Sequence, residues 1–468
     1  MRGKVITIVG VFFVVAAVVW ADGSVVETTF FSEALNEDKE VLVYLPEDYS
    51  SSGLDYPVIY YLHGAGGEPG SWYLTDFVPV LDQMIADGWV DPAIIVEPDS
   101  VGRQPPPEWQ SQGLTGRIFH YHINSELLGN NEDFLAEDVV AWVDATYRTV
   151  QDRDHRLIVA RSMGGHGAMR LTMRHPDVFS GASIDAGFMA MAEGYLVPAS
   201  SLVLNETLGP PYDFTPLNGF YSANLFGLCA AFTPDMTDPP WYVDFVLDPS
   251  GQINEPVLQR MIAASPPALI AEYAGSDYPL DLFLRIGDQD EFAATFWPVI
   301  DALELHEVPH VLRTFEGSHW VPGDLEKIAI QMSYFMPIKA TAEISPRVAD
   351  PRLYPKRLRV ALELPGDLDV ADIDCTTLAL IDIDGNRLDC PVGCSTACEV
   401  SDVNGNGRND LSVWLSSERL AGAAVATGAA AGDEIRLSIR GELDDGRFFQ
   451  ATDTVTLANE PVANAVTE

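Results

Sequence analysis

The chain has 468 residues, enough for two or three domains and a sizeable core. Its 69 Asp and Glu against 27 Lys and Arg give a formal net charge of −42. That balance excludes a basic nucleic-acid-binding face and fits a solvated acidic surface.

Residues 1–21 have the form of an export signal. Arg2 and Lys4 precede an apolar run over 5–20, and Val19-Trp20-Ala21 makes a small-residue cleavage site. The run is shorter than the roughly 20 apolar residues a membrane span needs. The expected mature chain starts near Asp22, is secreted or periplasmic, and has no stable membrane span. The alternative is an uncleaved anchor.

The apolar run 58–62 predicts a buried strand, and His63-Gly64-Ala65-Gly66-Gly67 follows it as a loop. Glycines there let main-chain amides approach a ligand oxygen closely. A second run, Leu157-Ile158-Val159-Ala160, predicts another buried strand. It stops at Arg161-Ser162-Met163-Gly164-Gly165, and a helix-like stretch covers 166–175. A serine between strand and helix, flanked by small residues, has the context of a nucleophile elbow. The usual G-x-S-x-G pattern has glycine where this chain has Ala160, and one methyl still leaves room for a tight turn.

A serine hydroxyl needs a base within hydrogen-bond reach, and the base needs an orienting acid. On α/β-hydrolase scaffolds the chain order is Ser, then Asp or Glu, then His. The strand-like run 281–286 ends in Gly287-Asp288-Gln289-Asp290, which makes Asp290 the preferred acid, Asp288 the second and Glu291 a distant third. The run 311–315 ends in Glu316-Gly317-Ser318-His319-Trp320, which makes His319 the base. His63 also follows a strand, but it precedes the serine and suits a structural hydrogen bond. Oxyanion donors are expected from the amides of Met163 and of Ala65, with Gly64 the second choice for the latter.

These segments together resemble the esterase D family of α/β-hydrolases, which includes feruloyl and acetylxylan esterases, S-formylglutathione hydrolase and mycolyltransferases. The resemblance is carried by Tyr60-Tyr61-Leu62-His63-Gly64, Tyr121-His122-Ile123-Asn124-Ser125 and the stretch 138–148. It continues through Ser162-Met163-Gly164-Gly165-His166-Gly167-Ala168-Met169 and Arg174-His175-Pro176-Asp177-Val178-Phe179. It spans residues 25–337 and is most specific around Ser162. It implies a mostly parallel sheet with helices on both faces and the triad Ser162, Asp290 and His319, with no cofactor for catalysis.

Residues 187–275 form an irregular stretch rich in Pro, Tyr and Phe, expected to act as a lid-like insertion. Trp72, Tyr73, Trp109, Tyr121 and Trp320 lie near the loops of the expected active edge. They suit stacking on an aromatic acyl group or a sugar, or else packing in the core.

After residue 337 the pattern changes. Alternation at 358–364, 411–415 and 435–440, punctuated by Asp384-Gly385 and Asp445-Gly446, predicts a small all-β, sandwich-like domain over 340–468. Cys375, Cys390, Cys394 and Cys398 cluster there and suit two disulfides in one of three connectivities, with zinc the rival; Cys229 stands alone as a buried or free thiol. Asp402, Asn404, Asn406 and Asp410 fall at positions 1, 3, 5 and 9 of a calcium-type loop, with Gly407 at 6 and Arg408 at 7. Position 12 is Val413, so a structural Ca²⁺ needs a carboxylate from elsewhere. The rival is a plain Asx-rich turn.

The expectation is an exported serine carboxylesterase, with acyl or feruloyl groups of plant or microbial polysaccharide as the candidate substrate. Its rivals are an acyltransferase using the same triad and a non-catalytic surface or binding protein that retains the fold.

Overall fold

The structure, a computed structural model, describes residues 16–19, 23–65, 70, 78–100, 102–319, 325–352, 356–395 and 397–458. Of the expected export signal only Ala16–Val19 falls among them, as a short strand, and the rest lies outside the described residues. No helix among the described residues is long and apolar enough to cross a membrane. The chain divides into two compact units, residues 1–79 with 92–323 and residues 80–91 with 324–468.

The first unit is built on a nine-stranded sheet. Its strands are β1 (Ala16–Val19), β2 (Ser24–Ser32), β3 (Glu37–Leu45), β4 (Val58–Leu62), β5 (Ile94–Pro98), β6 (Arg156–Arg161), β7 (Gly181–Asp185), β8 (Asp281–Gly287) and β9 (Val311–Phe315). The order across the sheet is β1-β2-β3-β5-β4-β6-β7-β8-β9. The first four of these pair antiparallel, and β5 through β9 run parallel. Every residue of β4 and β5 is buried. This is why these strands read as continuous apolar runs: a parallel strand covered on both faces has no solvent side to make polar. The arrangement is the α/β-hydrolase fold.

Register decides where the loops emerge. Leu62 pairs with Ala160, Arg161 with Asp185, and Gly287 with Phe315. The C-terminal ends of β4, β6, β7, β8 and β9 therefore share one edge, the edge where open α/β sheets gather ligands. The insertion 187–275 is helical, with Leu196–Glu206, Phe220–Phe232, Glu255–Ala263 and Pro266–Tyr273 its longer segments. It has its own apolar core, in which Trp109 packs edge-on against Phe226 and donates its indole N–H to Pro240 O at 2.8 Å.

In the second unit hydrogen bonds join nine strands into one mostly antiparallel ladder. The turn Asp384-Gly385 has positive φ at both residues (53° and 83°), as a two-residue hairpin turn requires. A helix absent from the all-β expectation, Ser417–Ala426, starts on a Ser416 side chain that accepts the Arg419 N–H. Among the described residues one disulfide is present, Cys375–Cys398. The expectation of two is corrected, because Cys394 is a free thiol. It packs against the apolar core as a small hydrophobe, and burial pushes its thiol up to about 11. The Cys390 side chain lies outside the described residues. Cys229 is a free, fully buried thiol.

Candidate active site

Ser162 stands between β6 and the helix Met163–Arg174, at φ 50° and ψ −120°. A non-glycine residue holds such a backbone only where the surroundings over-determine it. Three main-chain bonds do so here. Ser162 N donates to Asp185 O at 3.2 Å, and Ser162 O accepts from Gly165 N and Phe188 N at 2.8 Å each. The glycine after Met163 is sterically required: a Cβ on Gly164 would lie 2.1 Å from Leu62 O. Ala160 is fully buried inside β6.

Three loops of the shared edge bring the expected residues together. Ser162 Oγ lies 2.9 Å from His319 Nε2. His319 Nδ1 lies 3.0 and 3.2 Å from the two Asp290 oxygens. A carboxylate only accepts, so Nδ1 carries the proton and Nε2 is free to accept the serine hydroxyl. His319 is 3% exposed and Asp290 8%, so water competes little for these bonds. Asp290 Oδ1 also accepts Phe292 N at 2.8 Å. Asp288 is turned elsewhere and accepts the Gly317 N–H at 3.0 Å.

Gly64 lies against the serine: a Cβ there would sit 3.0 Å from Ser162 Cβ. Met163 opens its helix, so its N–H has no carbonyl within the helix to bond. The helix N-terminus adds a positive end to the same spot. His63 is buried, with Nδ1 2.8 Å from Gly64 O, a structural place.

The expected stacking residues fare differently. Trp72, Tyr73 and Trp320 lie outside the described residues. Tyr121 and Trp109 are core residues, 3% and 1% exposed. Tyr121 packs against Phe119, Phe232 and the His166 ring. The aromatic groups beside the triad are others. The Phe292 ring meets His319 edge-on at 4.8 Å, Phe188 meets Phe292 at 5.3 Å, and Tyr195 meets Phe188 at 5.2 Å. All three are half-buried. Sequence reasoning missed them, although Phe292 directly follows the candidate acids.

In the second unit, Asp402 Oδ1 accepts from Gly405 N and Asn406 N at 2.7 and 3.1 Å, and Asp410 Oδ2 accepts from Val403 N at 2.7 Å. Glu363 reaches the same loop from another strand, with Oε2 2.8 Å from Asn406 Nδ2 and Oε1 3.1 Å from Arg408 Nε. Among the described residues no group of three or more His, Cys, Asp or Glu side chains is arranged to hold a metal ion. The loop's oxygens are Asp and Asn oxygens with lone pairs to spare, the donor chemistry calcium takes.

The family model "Esterase: Putative esterase" matches residues 32–307. An esterase of Mycobacterium tuberculosis is 31% identical over 160 residues, which are 34% of this chain and 31% of that one. An endo-1,4-beta-xylanase/feruloyl esterase of Xylanibacter ruminicola is 28% identical over 176 residues, 36% of this chain and 22% of that one. The chain thus spans under a third of the length of these curated relatives. Solved structures that it resembles include a ferulic acid esterase (21% identity, TM-score 0.44, covering 65% of this chain and 92% of that one). Another is an S-formylglutathione hydrolase from Agrobacterium tumefaciens (16%, TM-score 0.45, covering 68% and 95%). With the family match running over more than half of its length, the chain belongs to the esterase family.

Proposed function

We propose that this protein is an exported serine carboxylesterase. The observation that carries the reading is the contact chain Ser162 Oγ, His319 Nε2, His319 Nδ1, Asp290, with steps of 2.9 and 3.0 Å. Ser162 Oγ attacks the ester carbonyl while Nε2 takes its proton. The charge that develops on the carbonyl oxygen is held by main-chain amides of Met163 and of Ala65 or Gly64. As the carbonyl re-forms, the alcohol leaves with the proton from Nε2. Water then attacks the acyl-enzyme with the same base, and acid and free serine result. Asp290 keeps the imidazole in the productive tautomer throughout. No step calls on a cofactor.

For the substrate we propose an aryl acyl ester of a polysaccharide. The half-buried wall of Phe188, Tyr195 and Phe292 offers flat apolar faces beside His319, and one relative's name pairs xylanase with feruloyl esterase. The test is a panel of p-nitrophenyl acyl esters alongside feruloylated and acetylated xylan. The expected result is turnover of simple esters and release of ferulate from the xylan. Turnover of simple esters with acetate as the only product from xylan would remove the aryl assignment. Inertness toward every ester would remove the enzyme. Transfer to an added alcohol in preference to water would turn the reading to acyltransferase.

We also propose Ca²⁺ at the 402–410 loop, held by Asp402, Asn404, Asn406 and Asp410 and the main chain at Arg408, with Glu363 in place of the absent twelfth-position carboxylate. An ion that binds only the folded form stabilises it by about 2.7 kcal/mol at a hundredfold excess over Kd. Calorimetry of the whole chain is expected to show one transition that falls on chelation and recovers with calcium. Ester hydrolysis below that transition should not change. Identical traces with and without chelator would leave a plain Asx turn.

A further inference from the structure

We propose that Arg161 and Glu291 are positioning residues that clamp the main chain of His319, an inference that rests on the triad reading. His319 sits in the loop after β9, outside its ladder. Its ring is aimed by whatever fixes its backbone. The His319 N–H donates to Glu291 Oε2 at 3.1 Å, and its carbonyl accepts from Arg161 Nη2 at 3.0 Å. Both main-chain polar groups of the residue are thus held by charged side chains, whose charge strengthens the hydrogen bond.

The two partners come from meaningful places. Arg161 directly precedes Ser162, so its side chain ties the nucleophile's strand to the base's loop. Glu291 directly follows Asp290, so it ties the acid's loop to the same residue. The acid and base loops are laced together further back, where Asp288 N donates to Phe315 O and Gln289 N to Gly317 O, each at 2.9 Å. Asp288 closes the lacing by accepting the Gly317 N–H. Every carboxylate of the stretch 288–291 therefore bonds the His319 loop: Asp288 through Gly317, Asp290 through the ring, Glu291 through the main chain. Arg161 holds the loop from the serine side.

A displacement of the base by about 1 Å costs on the order of a hundredfold in rate, whereas substrate binding does not depend on it. Arg161→Met and Glu291→Ala are therefore expected to lower kcat for p-nitrophenyl acetate about 10- to 100-fold with KM within about twofold. Glu291→Gln retains a carbonyl acceptor and should recover most of the loss. Arg161→Lys, with one ammonium in place of the planar fork, should fall between wild type and Arg161→Met. A second readout is independent of chemistry: deuterium uptake by peptides covering 311–319 should quicken in Arg161→Met and Glu291→Ala, and less in the conservative variants. Unchanged uptake overturns the clamp even if wild type hydrolyses nothing, an outcome that would sink the esterase reading alone. A loss confined to KM overturns it too, because it assigns Arg161 to the substrate.

Discussion

Ser162→Ala and His319→Ala should each cut kcat about 10⁴-fold or more, because triad members act as a unit and removing one leaves only binding and the oxyanion donors. Folding should be retained: His319→Ala gives up an edge-on contact with Phe292, but the elbow's strain is held by main-chain bonds from Gly165, Phe188 and Asp185. The two aspartates separate in the same assay. Asp290→Asn places an amide against Nδ1 of His319, 3.0 Å away. Its N–H₂ donors compete with the tautomer that presents Nε2 to the serine, so the loss should approach that of the other two. Asp288→Asn retains a carbonyl to accept the Gly317 N–H and should cost far less. Near-wild-type hydrolysis by purified Ser162→Ala would move the nucleophile elsewhere. An order of losses with Asp288 above Asp290 would move the acid.

What was legible in the sequence was local. Strand β4 announces itself because full burial on both faces demands an unbroken apolar run, β6 and β8 do so by largely apolar, largely buried runs, and loops at their ends follow from glycine and aspartate. Chain order then nominates Ser162, Asp290 and His319 without any distance. The residues that complete the site were not legible, because their meaning is set by partners far along the chain. Arg161 meets the His319 carbonyl across 158 positions. Glu291 reads as a third-choice acid until its carboxylate is seen on a main-chain N–H. Aromatic residues show the same limit in reverse. Trp109 and Tyr121 have the composition of a stacking surface and are core, whereas Phe188, Tyr195 and Phe292 stand beside the base. Composition cannot tell these apart, because the same ring serves either purpose. The cysteines fail for a related reason. Spacing constrains which bridges are reachable, but the apolar neighbours that keep Cys394 a buried thiol come from the folded sheet.

Stability should fall steeply below pH 6.5, and the cause lies beneath the elbow. His120, His122 and His166 are all fully or nearly fully buried. Among the described residues, both His122 ring nitrogens and His166 Nε2 have no hydrogen-bond partner, and His166 Nδ1 faces the Tyr121 carbonyl at 2.6 Å. Burial disfavours the imidazolium and pushes His120 and His166 down to about 3 and His122 well below its ordinary range. Neighbouring charges contribute less: Lys39, Asp99 and His63 around His120, His63 also near His122, and Arg170 and Glu132 around His166. The unfolded chain takes up a proton on each histidine near 6.5, whereas the folded chain refuses it until about 3. Stability is therefore lost as pH falls through that window. Glu97 works the other way. Burial raises it from 4.5 to about 8, so between those values the folded form holds a proton that the unfolded form has released, and stability is lost as pH rises. Glu193, also raised by burial, acts in the same sense as Glu97, so against three imidazole protons the net uptake on unfolding near pH 5 to 6 is at most about two. That corresponds to at most about 2.7 kcal/mol per pH unit, against a total stability of about 5–15 kcal/mol for a domain. Below 4.5, Glu132 adds a loss of the same sign. Its own burial raises it, but its His175 hydrogen bond and the charges of Arg170 and Arg174 prevail and hold it at about 2. Urea midpoints should be highest near pH 7 and fall from there to pH 5 with a slope of up to two protons. A flat profile over that range would mean that the buried imidazoles accept their protons without opening the fold.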